Sequence, residues 1–211
     1  MSLFRAVAWD IDGTLIDSEP LHERALGSAS AALGADLSDI APDAFRGVHA
    51  LAIWKALKPR FPAGSSFKTW IAAIEGYYVA HARELEPIPG AIEAMRKLAE
   101  GGVAQACVSN SGRTIVDANI EALKIDKIIA FSLSLEDVSA GKPDPEPYRE
   151  AARRLALPPE AVVAVEDSGA GARSARAAGL YVVGYSPSGE PFVGADRSIV
   201  KMNEVVTLFE A

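Results

Sequence analysis

Asp10-Ile11-Asp12-Gly13-Thr14-Leu15-Ile16-Asp17-Ser18 closes a short apolar run, Leu3 to Ile11, that carries the β-formers Phe4, Val7 and Trp9. A run of that length ending in acids predicts a buried strand with two carboxylates, Asp10 and Asp12, at its carboxyl end. Gly13 permits a sharp turn there. Acids also end strands and open turns for purely local reasons. Two of them beside Trp9 and Ile11, however, are costly to bury without a cation.

Four more runs have the same character: Val103 to Ser109, Ile128 to Leu133, Val162 to Val165 and Leu180 to Tyr185. Each is brief and bounded by Gly, Asp, Ser or Pro, as expected for parallel strands covered on both faces. Helical patterns lie between them at Ala91 to Glu100, Thr114 to Leu123, Pro145 to Leu155 and Ala170 to Ala178, with Gly101-Gly102 and Gly179 as stops. Strand and helix in alternation predict an α/β fold, a Rossmann-like, doubly wound parallel sheet. One stretch departs from this. After Asp17 the chain shows only helical patterns, Pro20 to Leu33, Pro42 to Leu57 and Phe67 to Arg83, until Pro87, Pro89 and Gly90. The expected division is therefore 1–16 and 87–211 for the α/β core and 17–86 for an all-helical insert. Ser186 to Asp196, rich in Gly, Pro and Ser, is expected as loop.

Composition bounds the function. The 211 residues carry a net charge of −7, and no block of Lys/Arg supplies the basic face a nucleic-acid binder needs. The hydrophobic fraction is 49%, of which 38 residues are Ala, leaving enough large apolar side chains for a core. A single cysteine, Cys107, excludes an internal disulfide and any Cys-rich metal site, and inside an apolar run it is expected to be an inert buried thiol. No apolar stretch reaches membrane-spanning length, and the opening MSLFRAVAWD is not a signal peptide. The expectation is a soluble, cytoplasmic protein without nucleic-acid or membrane partners, monomer or homodimer.

Three further motifs fall at strand ends. Cys107-Val108-Ser109-Asn110-Ser111 offers hydroxyls and a helix start, which hold anions but also serve as ordinary caps. Ala140-Gly141-Lys142-Pro143-Asp144-Pro145 places Lys142 in a stiff loop after the third core strand. Val165-Glu166-Asp167-Ser168-Gly169-Ala170-Gly171 ends an apolar strand in two acids, which would also complement the following helix dipole. One cleft at the strand ends can collect all four motifs.

Taken in order, these motifs resemble the haloacid dehalogenase superfamily over essentially the whole chain. The helical insert resembles the small cap of its β-phosphoglucomutase and phosphoglycolate phosphatase branch, which closes over the site. The resemblance implies Asp10 as nucleophile forming an aspartyl-phosphate and Asp12 as general acid and then base. It further implies Ser109 and Lys142 as phosphoryl contacts, Lys142 also holding Asp10, with Asn110 and Ser111 beside the substrate. Mg2+ would be held by Asp10, the backbone carbonyl of Asp12, Glu166 and Asp167. The chemistry agrees, since a carboxylate attacking a phosphate dianion needs cations close by and Mg2+ takes oxygen ligands.

The helical insert leaves paired readings. His22 belongs either to the substrate side or to helix packing. Arg46-Gly47-Val48-His49 matches a substrate-specificity loop in relatives and is equally an ordinary helix interruption. Trp54 and Trp70 are read as helical core, and Lys55, Lys58 and Arg60 as a solvated face. A haloacid dehalogenase or a phosphonoacetaldehyde hydrolase lacks the second acid of the first motif, and Asp12 is present. A non-catalytic binding module would have lost one of the four motifs. The expected activity is a Mg2+-dependent phosphatase of a small phosphorylated metabolite, phosphoglycolate or a sugar phosphate, with a sugar phosphomutase as the alternative. In the mutase relatives an Arg lies three residues after the loop Gly; the matching position here is Ala50.

Overall fold

The computed structural model describes residues 3–41, 44–45 and 48–210, which form two units, Met1–Asp17 with Glu86–Ala211 and Ser18–Leu85. In the first, strands β1 (Ala6–Trp9), β4 (Ala104–Val108), β5 (Phe131–Leu133), β6 (Val162–Glu166), β7 (Tyr181–Tyr185) and β8 (Arg197–Ile199) make one sheet in the order β5-β4-β1-β6-β7-β8. Every pairing in it is parallel. All four residues of β1 are buried, because β4 and β6 flank it and helices cover both faces.

Alternation along β1 divides the core. Ala6 and Ala8 pack with Tyr148, Ala151 and Ala152 of α6 (Glu146–Arg154) and Ala172 and Ala175 of α7 (Gly169–Ala177). The small alanines on both sides let these helices approach the sheet closely. On the other face Trp9 donates Nε1–H to Gln105 Oε1 at 2.9 Å, and Gln105 donates to the carbonyl of Met95 in α4 (Ala91–Glu100) at 2.8 Å. The polar groups buried there are thus satisfied. Helix α5 (Arg113–Leu123) follows β4. A small antiparallel pair, β2 (Ile16–Asp17) with β3 (Glu86–Pro87), joins the chain where the helical insert leaves and returns. Asp17 and Glu86 therefore sit in the α/β unit.

The second unit holds α1 (Glu19–Ala32), α2 (Ala50–Leu57) and α3 (Phe67–His81). Trp54, Phe61, Phe67 and Trp70 form its aromatic core, with centroids 4.8 Å apart for Trp54–Phe61 and 5.5 Å for Trp54–Trp70. Trp70 is fully buried and donates Nε1–H to Ser30 Oγ at 3.0 Å. No helix among the described residues is long and apolar enough to cross a membrane.

Two expectations are corrected, and one element is added. Of the helix expected over Pro42 to Leu57, residues 42, 43, 46 and 47 lie outside the described residues, and α2 starts at Ala50, where the His49 side chain accepts the Leu51 amide. Residues 128–130 precede β5 rather than belong to it, with Ile128 and Ile129 bonded back to the Ile125 carbonyl. Beyond the loop after β7, Arg197–Ile199 adds an edge strand that the polar sequence concealed.

Candidate active site

The sheet order puts the carboxyl ends of β1, β4 and β6 side by side, which is where open α/β sheets bind ligands. Asp10 and Asp12 follow β1, Ser109 to Ser111 follow β4, and Glu166 and Asp167 end β6. Lys142 enters from the loop between β5 and α6, just before a cis peptide bond to Pro143.

Lys142 is the hub. Its Nζ donates to Asp10 Oδ1 at 2.6 Å, Glu166 Oε1 at 2.6 Å and the Val108 carbonyl at 2.8 Å, using all three N–H bonds. Asn110 fixes the backbone of the same residue from both sides: its Oδ1 accepts Lys142 N–H at 2.7 Å and its Nδ2 donates to Lys142 O at 2.9 Å. Burial would lower the Lys142 pKa, but Asp10 and Glu166 outweigh it and hold the ammonium above its ordinary range.

Glu166 is fully buried and held by three donors. Tyr148 OH donates to its Oε1 beside Lys142, and Ser168 Oγ donates to Oε2 at 3.1 Å. A Cβ at Gly171 would collide with this carboxylate, so only glycine lets the first turn of α7 lie over it. Asp167 accepts from Thr14 Oγ1 at 3.3 Å. Gly13, at φ +83°, turns beneath it where a Cβ would strike the carboxylate.

Asp12 is held by side-chain donors that include Ser109, Ser111 and Asn119. Ser109 Oγ and Ser111 Oγ reach Oδ2 at 3.0 and 2.9 Å, and Asn119 Nδ2 reaches Oδ1 at 3.1 Å. Asp10 differs. Its Oδ1 is held by Lys142, but its Oδ2 is buried and has no hydrogen-bond partner among the described residues.

Asp10, Glu166 and Asp167 bring carboxylate oxygens within 4.8 Å of one another. Burial pushes the Asp10 pKa well up; Lys142 opposes this, while Glu166, Asp167 and Asp12 add to it. Burial, then Glu166, moves Asp167 up to about 6. One ammonium shared among these acids leaves negative charge uncompensated. The all-oxygen donor set and its uncompensated negative charge fit a hard divalent cation. The Asp12 carboxylate lies outside this cluster.

The structure thus gathers Asp10, Asp12, Ser109, Asn110, Ser111, Lys142, Glu166 and Asp167. His22 lies in the helical unit with its ring 4.6 Å from that of Tyr78. Arg46 and Gly47 are outside the described residues. Asn119, Tyr148 and Thr14 escaped the reading of the sequence. Asn119 and Tyr148 do leave a trace: each is a polar group on a helix face otherwise apolar, Asn119 four residues from both Ile115 and Leu123.

Comparison with known proteins adds a family. A model described as haloacid dehalogenase-like hydrolase matches residues 4–179. Protein CbbY of Rhodobacter capsulatus is 31% identical over 96% of both chains. Hexitol phosphatase A of Escherichia coli K12 is 32% identical over 93% of this chain and 86% of its own. A variant of CbbY from Rhodobacter sphaeroides, solved with xylulose-(1,5)bisphosphate, superposes with a TM-score of 0.84 at 28% identity, covering 95% of this chain and 96% of that one.

Proposed function

Because the chain belongs to the haloacid dehalogenase-like hydrolase family, we propose that it is a Mg2+-dependent phosphatase of small phosphorylated metabolites working through a phospho-aspartyl intermediate on Asp10. The observation that carries this reading is the asymmetry of Asp10: one oxygen is fixed by Lys142, and the other is buried and unbonded. A carboxylate so held is pre-aimed, with a lone pair available for attack.

The chemistry then follows from the residues present. Asp10 Oδ2 bonds to phosphorus as the bond to the leaving oxygen breaks, and Asp12 protonates that oxygen. Water next attacks phosphorus, giving its proton to Asp12, and the bond to Asp10 breaks. Ser109 and Ser111 supply hydroxyl donors for the phosphoryl oxygens. Since the N–H bonds of Lys142 are all engaged, its charge acts on the phosphoryl group through space while it holds Asp10. Asn110 keeps Lys142 in place.

Asp10, the carbonyl of Asp12, Glu166 and Asp167 are the groups that would hold Mg2+. The ion supplies positive charge that offsets repulsion between the carboxylate and a phosphate dianion. The names of the relatives favour a sugar phosphate, with phosphoglycolate as the other candidate. Phosphate release from a panel of such metabolites, ranked by kcat/KM with and without Mg2+, tests the reading. Activity that survives chelation or Asp10→Asn contradicts it.

A further inference from the structure

Each of Ser109, Asn110 and Ser111 is bound to one segment, 132–142. Ser109 N–H donates to the Leu133 carbonyl at 3.0 Å, and Leu135 N–H donates to the Ser111 carbonyl at 3.0 Å. The parallel pairing of β4 with β5 thus runs on past both strands. Between these two bonds the Asn110 amide is engaged by the backbone of Lys142. Ser111 N–H in turn donates to Ser109 Oγ at 2.9 Å. Both backbone groups of Ser111 are therefore taken, and its hydroxyl stands where those two bonds carry it.

One side chain closes this arrangement from outside the site. Arg113, the first residue of α5, donates from Nη1 to Ser132 Oγ at 2.8 Å and to Asp117 Oδ1 at 3.0 Å. From Nη2 it donates to the Ser132 carbonyl at 3.2 Å and to Asp137 Oδ2. The same Asp137 oxygen accepts Ser134 N–H at 2.8 Å and Ser134 Oγ–H at 2.7 Å, which caps the single turn Leu135–Asp137. Glu136 adds a return bond, its Oε2 accepting Arg113 N–H at 2.7 Å. The guanidinium therefore grips the segment on both sides of Leu135, whose N–H holds Ser111. We infer that Arg113 is the positioning residue of Ser111: by fixing Leu135 it sets where the Ser111 hydroxyl meets the phosphoryl group. The planar fork of arginine reaches Ser132 and Asp137 together, which the single nitrogen of a lysine does not. This inference rests on the reading of Ser111 as a phosphoryl contact in a phosphatase.

The test is a double-mutant cycle on Arg113 and Ser111. Arg113→Lys keeps the charge and undoes the fork. Asp137→Asn loosens the same grip from its other end and is the second variant should lysine not fit. Ser111→Ala removes the hydroxyl. KM for the best substrate of the metabolite panel and the inhibition constant of inorganic phosphate are measured with Mg2+, since neither depends on the fraction of enzyme folded. In the parent, Arg113→Lys should raise both constants about tenfold. In the Ser111→Ala background the same substitution should raise them by about threefold or less, the remainder passing through Ser109. A rise as large in that background as in the parent overturns the inference. So does a loss of stability or of kcat with both constants unchanged, which is what a merely structural role would give. A parent chain that releases phosphate from no ester of the panel contradicts the phosphatase reading itself, and the role of Arg113 falls with it.

Discussion

Nζ of Lys142 lies 2.6 Å from Oδ1 of Asp10, a contact that spans 132 residues of sequence. Both side chains are almost wholly enclosed, and the same ammonium also holds Glu166. Lys142→Met would leave two carboxylates buried without a counter-charge. Breaking such a pair costs about 3–5 kcal/mol. Urea denaturation of metal-free protein near neutral pH should show a loss of that order, and the loss should shrink in acid as the carboxylates take up protons. A variant as stable as the parent would mean that the pair contributes nothing to the fold.

The raised pKa of Asp167 gives a pH signature. The folded, metal-free protein binds its proton up to about 6, whereas the unfolded chain releases it near 3.9. Between those values the folded state holds more protons, so the metal-free stability falls as pH rises through the window. A cation competes for the same oxygens. Thermal melting should therefore show a Mg2+-induced rise in Tm of several degrees near neutral pH that fades by about pH 5. An equal rise at both, or none, would speak against this cluster as the metal site.

Gly13→Ala probes the turn beneath Asp167. The positive φ of +83° is disfavoured for a residue with a Cβ, at about 1–2 kcal/mol, and the added methyl would strike the Asp167 carboxylate. Activity and the Mg2+ effect on Tm should both collapse, while equilibrium unfolding shifts only by that amount. Retained Mg2+ response with lost stability would show that the turn serves the fold and not the site.

Much of this was legible in the sequence for a physical reason. Asp10, Ser109, Glu166 and Asp167 each end an apolar strand, so an α/β sheet brings them to one edge whatever the loops do. Asn119 and Tyr148 were hidden because they project from the buried faces of helices, where a single polar residue resembles an imperfection in the apolar pattern. Arg197-Ser198-Ile199 was hidden because an edge strand needs only one buried side chain, here Ile199. The start of α2 at Ala50 was hidden because the apolar residues before it fit the helical period, while the cap that His49 provides is a local feature.

The mutase alternative predicts a different product balance. A mutase needs a second anion site in the helical unit, and Ala50, the first residue of α2, carries no charge. A charge-assisted bond to a buried phosphate is worth about 1.5–3 kcal/mol, so its loss should depress isomerisation about tenfold to a hundredfold. With β-glucose 1-phosphate the enzyme should release phosphate without stimulation by a bisphosphate primer and without accumulating glucose 6-phosphate. Isomerisation faster than hydrolysis would identify a mutase that uses the same aspartates.

The most direct measurement is of the covalent bond on Asp10. The enzyme is mixed with a radiolabelled phosphate ester and Mg2+, quenched in acid within a turnover, and its labelled peptide identified by mass spectrometry. The account predicts an acid-stable, hydroxylamine-labile phosphate on Asp10, formed and lost fast enough for turnover and absent from Asp10→Asn. Label on another residue, or label that persists in Asp10→Asn, would contradict it.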